Sequence, residues 1–383
     1  MANFVNIHLS QYMPTAKSEP SRIRTGYEEV IAHRTVPPFA YPAEDDGVIE
    51  KLDLKANIVV VNYPKLKKKT SIKIGEEYTK NGGGGFYCTQ NIVLNDFKQG
   101  DQVKRGDIIA YNSRYFTPDP YSKQVAWDIG VLANTVIIDS NDTYEDGCII
   151  STELAKKLEI NPVYVKDIVL KKNTTIHKFV DEGGKVLSIE PLIVFDQSEM
   201  SDDMFGKLDD EAIRMLEKLN KKSARAGHTG TVVKIDMFYL HDIKDVSPSI
   251  QKLMNLVNSR KNLVRKAAAG THNESMFPAK TNIQHSDRIG MTDLDEETVI
   301  VRFYIQDNTT LGGGDKVEFD SSLKSVCTSV DEPWEVEDGS VVCDAWFSAI
   351  GMDHRIILSP KITGIGNRCL EKMEQDIVKM YFG

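Results

Sequence analysis

No run of about 18 apolar residues occurs in this sequence, and a helix needs roughly that length to cross a bilayer. Behind Met1-Ala2-Asn3-Phe4 there is no basic stretch leading into an apolar one, the pattern of a secretion signal. Cysteine is sparse. The five residues Cys88, Cys148, Cys327, Cys343 and Cys369 are scattered, with no Cys-x-x-Cys pair. That argues against a zinc cluster and a disulfide framework and fits a reducing compartment. The glycine runs 82–85 and 312–314 are not followed by Gly-Lys-Ser/Thr, so neither reads as a phosphate-binding P-loop. The eight histidines are dispersed, and no Ser/His/Asp constellation suggests hydrolysis. Positive charge is also short, with 47 Lys and Arg against 56 Asp and Glu for a net charge of -9. A nucleic-acid binder working alone normally needs a basic face. A few lysines at a centre shared with other chains are compatible with an acidic total.

What is present is an ordinary globular composition, 41% hydrophobic and 27% charged, in 383 residues, enough for two or three domains. Residues 1–46 are polar and irregular. From Gly47 short β-branched runs such as Ile58-Val59-Val60-Val61 predict strands. Gly100-Asp101-x-Val103-x-x-Gly106-Asp107 reads as a tight turn into the strand Ile108-Ile109-Ala110, and 131–138 is another apolar strand. Thr152 to Leu158 reads as a short helix, and residues 163–196 as strands. Asp209 to Ser223 has helical period, with Ile213, Leu216 and Leu219 on one side. Gly230 to Ile235 returns to strand. Ser247 to Ala269 is a longer basic helix opened by a Ser-Pro-Ser start signal, residues 270–293 read as loop, and 299–305 as a strand. Leu370 to Tyr381 predicts a short final helix.

Three short motifs carry more information. Gly314-Asp315-Lys316 is followed eight residues on by Lys324. Asn141-Asp142-Thr143-Tyr144-Glu145-Asp146-Gly147 precedes it, and Gly351-Met352-Asp353-His354-Arg355 follows, itself preceded by Asp338-Gly339-Ser340-Val341-Val342-Cys343-Asp344. In this order and spacing the motifs resemble the C-terminal half of the β subunit of multisubunit DNA-directed RNA polymerases. Near the start, Gln11 and Thr25-Gly26-Tyr27-Glu28 are similar to a segment of that family running from an RNA-contacting glutamine to Gly-Thr-Gly-Met-Glu. Between the lysines this chain departs from the family. The usual Arg-His-Gly-Asn-Lys-Gly is replaced by Asp320-Ser321-Ser322-Leu323-Lys324-Ser325, and the loss of both glycines opens the possibility of a different backbone path.

The resemblance implies a β-rich α+β fold: a double-psi β-barrel formed by two sequence-separated parts, with an inserted flap-like mixed α/β domain. The boundaries it implies are 1–46 for an N-terminal extended segment, 47–150 for the first barrel part and 151–293 for the insertion. The second barrel part is 294–365 and a C-terminal helix is 366–383. It implies that Lys316 and Lys324 hold the phosphates at the RNA end, and that Arg355 forks onto the incoming triphosphate as a lysine cannot. Gln11 is implied to touch the RNA backbone. Glu145 and Asp146 are implied to lie near a second, nucleotide-borne Mg²⁺, directly or through water. Ile213 and Leu216 would face a promoter-recognition factor from the flap, unless that helix is an ordinary amphipathic core helix. By residue type alone, the lysines and Arg355 also read as surface cations, and 139–143 as a polar turn.

The function implied is that of an RNA polymerase subunit contributing to an active site shared with β′-like chains that hold most of the Mg²⁺. A further chain would supply the N-terminal half of β, DNA and RNA would be template and product, and no membrane is involved. Split and shortened subunits of this kind look like those of large bacterial viruses, working in the host cytoplasm or packaged in the virion. The alternative is a non-catalytic β-like module that binds and regulates a host RNA polymerase. A third reading, a carbohydrate- or lipoyl-type β domain, has only the Gly100 to Asp107 turn behind it.

Overall fold

The computed structural model of the chain describes residues 2–7, 15–22, 24–80, 87–196, 221–240, 243–278, 288–289, 292–320, 323–337, 339, 341–354 and 358–382. The architecture is β-rich. One sheet curls through six strands: β1 (Ala2–Ile7), β2 (Val125–Ile137), β3 (Gly147–Ser151), β4 (Lys316–Phe319), β5 (Leu323–Asp331) and β6 (Ala345–Phe347). Pairing runs β2–β1–β4–β5–β3–β6 and returns to β2. The β3–β5 and β6–β2 pairings are parallel and the others antiparallel. A parallel pairing needs a long crossover, and here each one joins a strand of 125–151 to a strand of 323–347.

Alternation along these strands decides which side chains enter the curl. Val317, Phe319, Leu323, Ser325 and Cys327 are buried, whereas Lys316 and Lys324 are exposed. Inside, Val131, Ala133, Ile150, Phe319, Phe347 and Met352 share one apolar cluster. The Phe319 and Phe347 rings lie 4.9 Å apart. Burial of each phenyl group stabilises by about 2–3 kcal/mol. Burial also pushes the Cys148 thiol up to about 12 and the Cys327 thiol to about 11, so both remain protonated fillers of the core.

A second sheet runs in the order Lys185–Val186, Gly230–Tyr239, Thr298–Gln306, Pro162–Lys171, Tyr87–Leu94, Ile108–Asn112 and Ala40–Pro42. The helix Pro248–Ala267 buries Ile250, Leu253, Met254 and Val257 in the same apolar cluster as Met237 and Val301 of this sheet. Its start is set by Ser247, whose Oγ accepts from the Ile250 N–H at 3.3 Å, and by Pro248 in the first turn. Arg302 donates to both carboxylate oxygens of Asp167 opposite it, at 2.6 and 2.8 Å. In the Gly100 to Asp107 stretch, Asp101 accepts from the Lys98 N–H at 2.7 Å and Asp107 from the Lys104 N–H at 2.8 Å. Gly100 and Gly106 supply the left-handed backbone that closes each turn. Among the described residues no helix is long and apolar enough to cross a membrane.

Strand partners divide the chain differently from the boundaries read in the sequence. Thr298–Gln306, expected in the second barrel part 294–365, lies between Pro162–Lys171 and Gly230–Tyr239 of the expected insertion 151–293. Of 47–150, only Val125–Ile137 and Gly147–Ser151 enter the six-strand circuit. Apolar period two identifies a strand but says nothing of its neighbour. The segment 1–46 is not simply extended, because it holds β1 and a helix, Tyr27–Arg34. That helix begins where Glu28 accepts hydrogen bonds from the Thr25 N–H at 3.2 and 3.1 Å. Residues 221–223, expected as helix, belong to the strand Lys221–Arg225. Residues 209–220, with Ile213 and Leu216, lie outside the described residues. The final helix spans Ser359–Phe382 and starts well before 366, with Pro360 in its first turn.

Candidate functional site

The turn Asp139 to Asp146 enters β3 and is fixed by its own hydroxyls. Thr143 is fully buried. Its Oγ1 donates to the Ile138 carbonyl at 2.6 Å and accepts from the Ser140 N–H at 2.8 Å. The Gly147 N–H donates to the Tyr144 carbonyl at 3.0 Å. Thr328 Oγ1, on β5, lies 2.6 Å from the Asp142 carbonyl and 2.9 Å from that of Cys148. These ties hold Glu145 in the left-handed region at φ 54, which costs a residue with a Cβ about 1 kcal/mol. Tyr144, Glu145 and Asp146 are all exposed at the tip of the turn.

The lysine segment is a hairpin of β4 and β5. Gly314 adopts φ 91, and its N–H donates to the Cys327 carbonyl at 2.7 Å. Asp315 Oδ2 accepts from the Gly312 N–H at 2.8 Å. Register pairs Lys316 with Val326 and Glu318 with Lys324. Lys316 and Lys324 therefore stand on one face as diagonal neighbours, about 7–8 Å apart by sheet geometry, with Glu318 directly across from Lys324. At the hairpin bend Asp320 takes φ 48. A short polar side chain tolerates that conformation, so the bend forms although no glycine lies between 315 and 325.

Ser325 joins the hairpin to the acidic turn. Its Oγ donates to the Asp146 carbonyl at 2.6 Å, and the Val326 N–H donates to the same oxygen at 2.8 Å. Lys324 is thus the immediate chain neighbour of the residue whose hydroxyl bonds to Asp146. The third motif meets the turn from the other side. A Cβ on Gly351 would lie 2.2 Å from the Glu145 carbonyl oxygen, so the short helix Ala349–His354 passes directly against that peptide. Asp139 starts this helix, with Oδ1 accepting from Ser348 Oγ at 2.9 Å and from the Ala349 N–H at 3.0 Å. Met352, the second residue of the motif, is buried in the cluster inside the curl.

Glu145, Asp146, Lys316, Lys324 and the Gly351 to Asp353 segment are therefore gathered at one end of the six-strand sheet. Gln11, Arg355, Ile213 and Leu216 lie outside the described residues. Among the described residues no group of three or more His, Cys, Asp or Glu could hold a metal ion. The exposed pair Glu145 and Asp146 offers hard oxygen donors suited to Mg²⁺, and further ligands would come from a nucleotide phosphate, water or another chain. The pair of lysines is suited to phosphate oxygens as point charges. Reasoning from the sequence missed Asp139, Thr143 and Ser325, which position these groups through backbone contacts. Only Asp139 and Thr143 gave a signal, as turn-forming residues. A comparison of the chain with models of known protein families and with curated proteins yields no match to either.

Proposed function

We propose that this chain is a subunit of a DNA-dependent RNA polymerase, contributing RNA-end and nucleotide-phosphate contacts to an active site shared with other chains. The convergence of the three motifs at one end of one sheet carries the reading. The first motif lies 170 positions before the second, counted from Asp146 to Lys316, yet Ser325 touches the Asp146 carbonyl and Gly351 lies against that of Glu145. The closed circuit of six strands with two parallel pairings also supports the double-psi β-barrel that the resemblance implies.

In this reading Lys316 and Lys324 hold the last phosphates of the growing RNA and offset negative charge that builds as the 3′-hydroxyl attacks the triphosphate. Arg355 grips the triphosphate of the incoming nucleotide in a fork that fixes its orientation. Mg²⁺, held mainly by a β′-like partner, supplies charge neutralisation of the triphosphate when bound. Glu145 and Asp146 would sit beside the nucleotide-borne ion. The protein's part is positioning and charge, for which exposed cations on paired strands are suited.

The chain is tested as it exists, tagged in its native source and isolated intact. The reading predicts stoichiometric partners, one with an Asp-x-Asp-x-Asp run and one resembling the N-terminal half of β. Lys316→Ala or Arg355→Ala in that complex is expected to lower RNA extension by roughly 10²–10³, by analogy with the loss of one charge-stabilising donor, while the subunits stay together. Near-normal extension by both variants would exclude these residues from the site.

A second reading has two observations behind it. Glu318 faces Lys324 across the hairpin, and Asp320 stands where the family has arginine, so the lysine face is less basic than the resemblance implies. This suits a β-like module that occupies a host polymerase without catalysing. It predicts recovery with the complete host enzyme and no dependence of extension on Lys316.

A further inference from the structure

The last helix, Ser359–Phe382, has a buried side only in its first half, and from Lys372 to Phe382 every residue is exposed. Its inward face, at Pro360, Gly364 and Asn367, is small or polar and buried against the body of the protein. Its outward face carries Ile362, Ile365, Cys369, Met373, Ile377 and Met380 at helical spacing, all exposed, Met373 at 59% and Met380 at 79%. A stripe of this length on one helix is an unusual thing for a protein to leave in water.

The edges of the stripe narrow what covers it. Lys361, Lys372 and Lys379 follow one edge at spacings of eleven and seven residues, three turns and two. The other edge carries Glu374, already paired with Arg22. In an antiparallel pair of copies related by a two-fold axis, each edge meets the same edge of the other copy, so lysines would oppose lysines. In a parallel pair the three lysines would meet a single, already engaged carboxylate. Neither arrangement is complementary. An anionic lipid surface is disfavoured as well, because Glu371, Glu374 and Asp376 on the same two turns offset the attraction of the lysines. The neighbouring pairs Lys361–Asp353 at 3.0 Å and Lys372–Asp376 at 3.8 Å are solvent-exposed and weak enough to rearrange.

We propose that this face is a docking surface for an amphipathic helix of a different polypeptide, whose apolar stripe packs on Ile365, Met373 and Met380 and whose carboxylates run along the Lys361, Lys372 and Lys379 edge. Helix on helix is the arrangement that buries a stripe one helix wide. The edge charges then select the partner and its orientation more than they add affinity.

Two synthetic helical peptides sharing one apolar stripe, edged with glutamate in one and lysine in the other, test this against the full chain. The glutamate-edged peptide is expected to bind about tenfold more tightly or better. Met373→Glu is expected to abolish its binding, and Lys361→Glu, Lys372→Glu and Lys379→Glu together to reverse the preference. Circular dichroism checks that these surface variants keep the fold. Equal affinity for the two peptides, or no binding of either, would overturn the proposal. Dimerisation in sedimentation that Met373→Glu dissolves would assign the stripe to a second copy. Binding to phosphatidylserine vesicles lost in the same variant, without peptide preference, would assign it to lipid. Either result also overturns the proposal.

Discussion

Gly351 has no space for a side chain, and the obstacle is backbone. A methyl group there would meet the Glu145 carbonyl oxygen at 2.2 Å, and neither peptide can yield without moving the turn or the helix. Gly351→Ala is expected to destabilise the fold by about 1–3 kcal/mol, read as a lower urea midpoint. An unchanged midpoint would mean that the two motifs do not touch. Asp128 acts through charge. It is 4% exposed, and burial pushes its carboxyl up to about 6, against the Thr117 hydroxyl that donates to it at 2.6 Å and the nearby Arg24. Its other oxygen has no hydrogen-bond partner among the described residues. With the folded value above the unfolded 3.8, the native state binds the extra proton between the two. Stability contributed by the protonated form is therefore lost as pH rises from about 4 to about 6, on the order of 1–3 kcal/mol. Asp128→Asn should flatten that part of the stability–pH curve. A slope that persists in the variant would place its origin elsewhere.

At the scale of elements, legibility followed locality. The helix Pro248–Ala267 was readable from Ser247 and Pro248 because caps are set by neighbours in sequence. The strand at 298–306 was readable as a strand, but its place between Pro162–Lys171 and Gly230–Tyr239 was not, since partners are chosen by packing among distant segments. β1 was missed because the six residues Ala2-Asn3-Phe4-Val5-Asn6-Ile7 break strict alternation at Phe4-Val5 and carry little signal until β2 and β4 pair with them. At the candidate site the charged residues were legible by type and spacing, whereas Ser325 was read only as a lost glycine. Its hydroxyl ties the β4–β5 hairpin to the Asp146 carbonyl at 2.6 Å. Ser325→Ala should lose about 1 kcal/mol in chemical denaturation, and in the proposed complex it should lower extension less than Lys316→Ala does. An equal or larger loss of extension in Ser325→Ala would make the tie, and not the lysine charge, the governing feature.

At the scale of the whole molecule, an acidic chain with a net charge of -9 presents, among its surface cations, the Lys316 and Lys324 face of the hairpin and one edge of the last helix. The first is suited to phosphate and the second to a partner's carboxylates. Both make sense in a protein whose chemistry is completed by other chains. The measurement closest to that claim uses the intact native complex, stalled with an RNA whose terminal phosphate carries an amine-reactive group, with the adducts mapped by mass spectrometry. The account predicts adducts on Lys316 and Lys324 that disappear when RNA is omitted. Adducts confined to other lysines, or to other subunits alone, would contradict it.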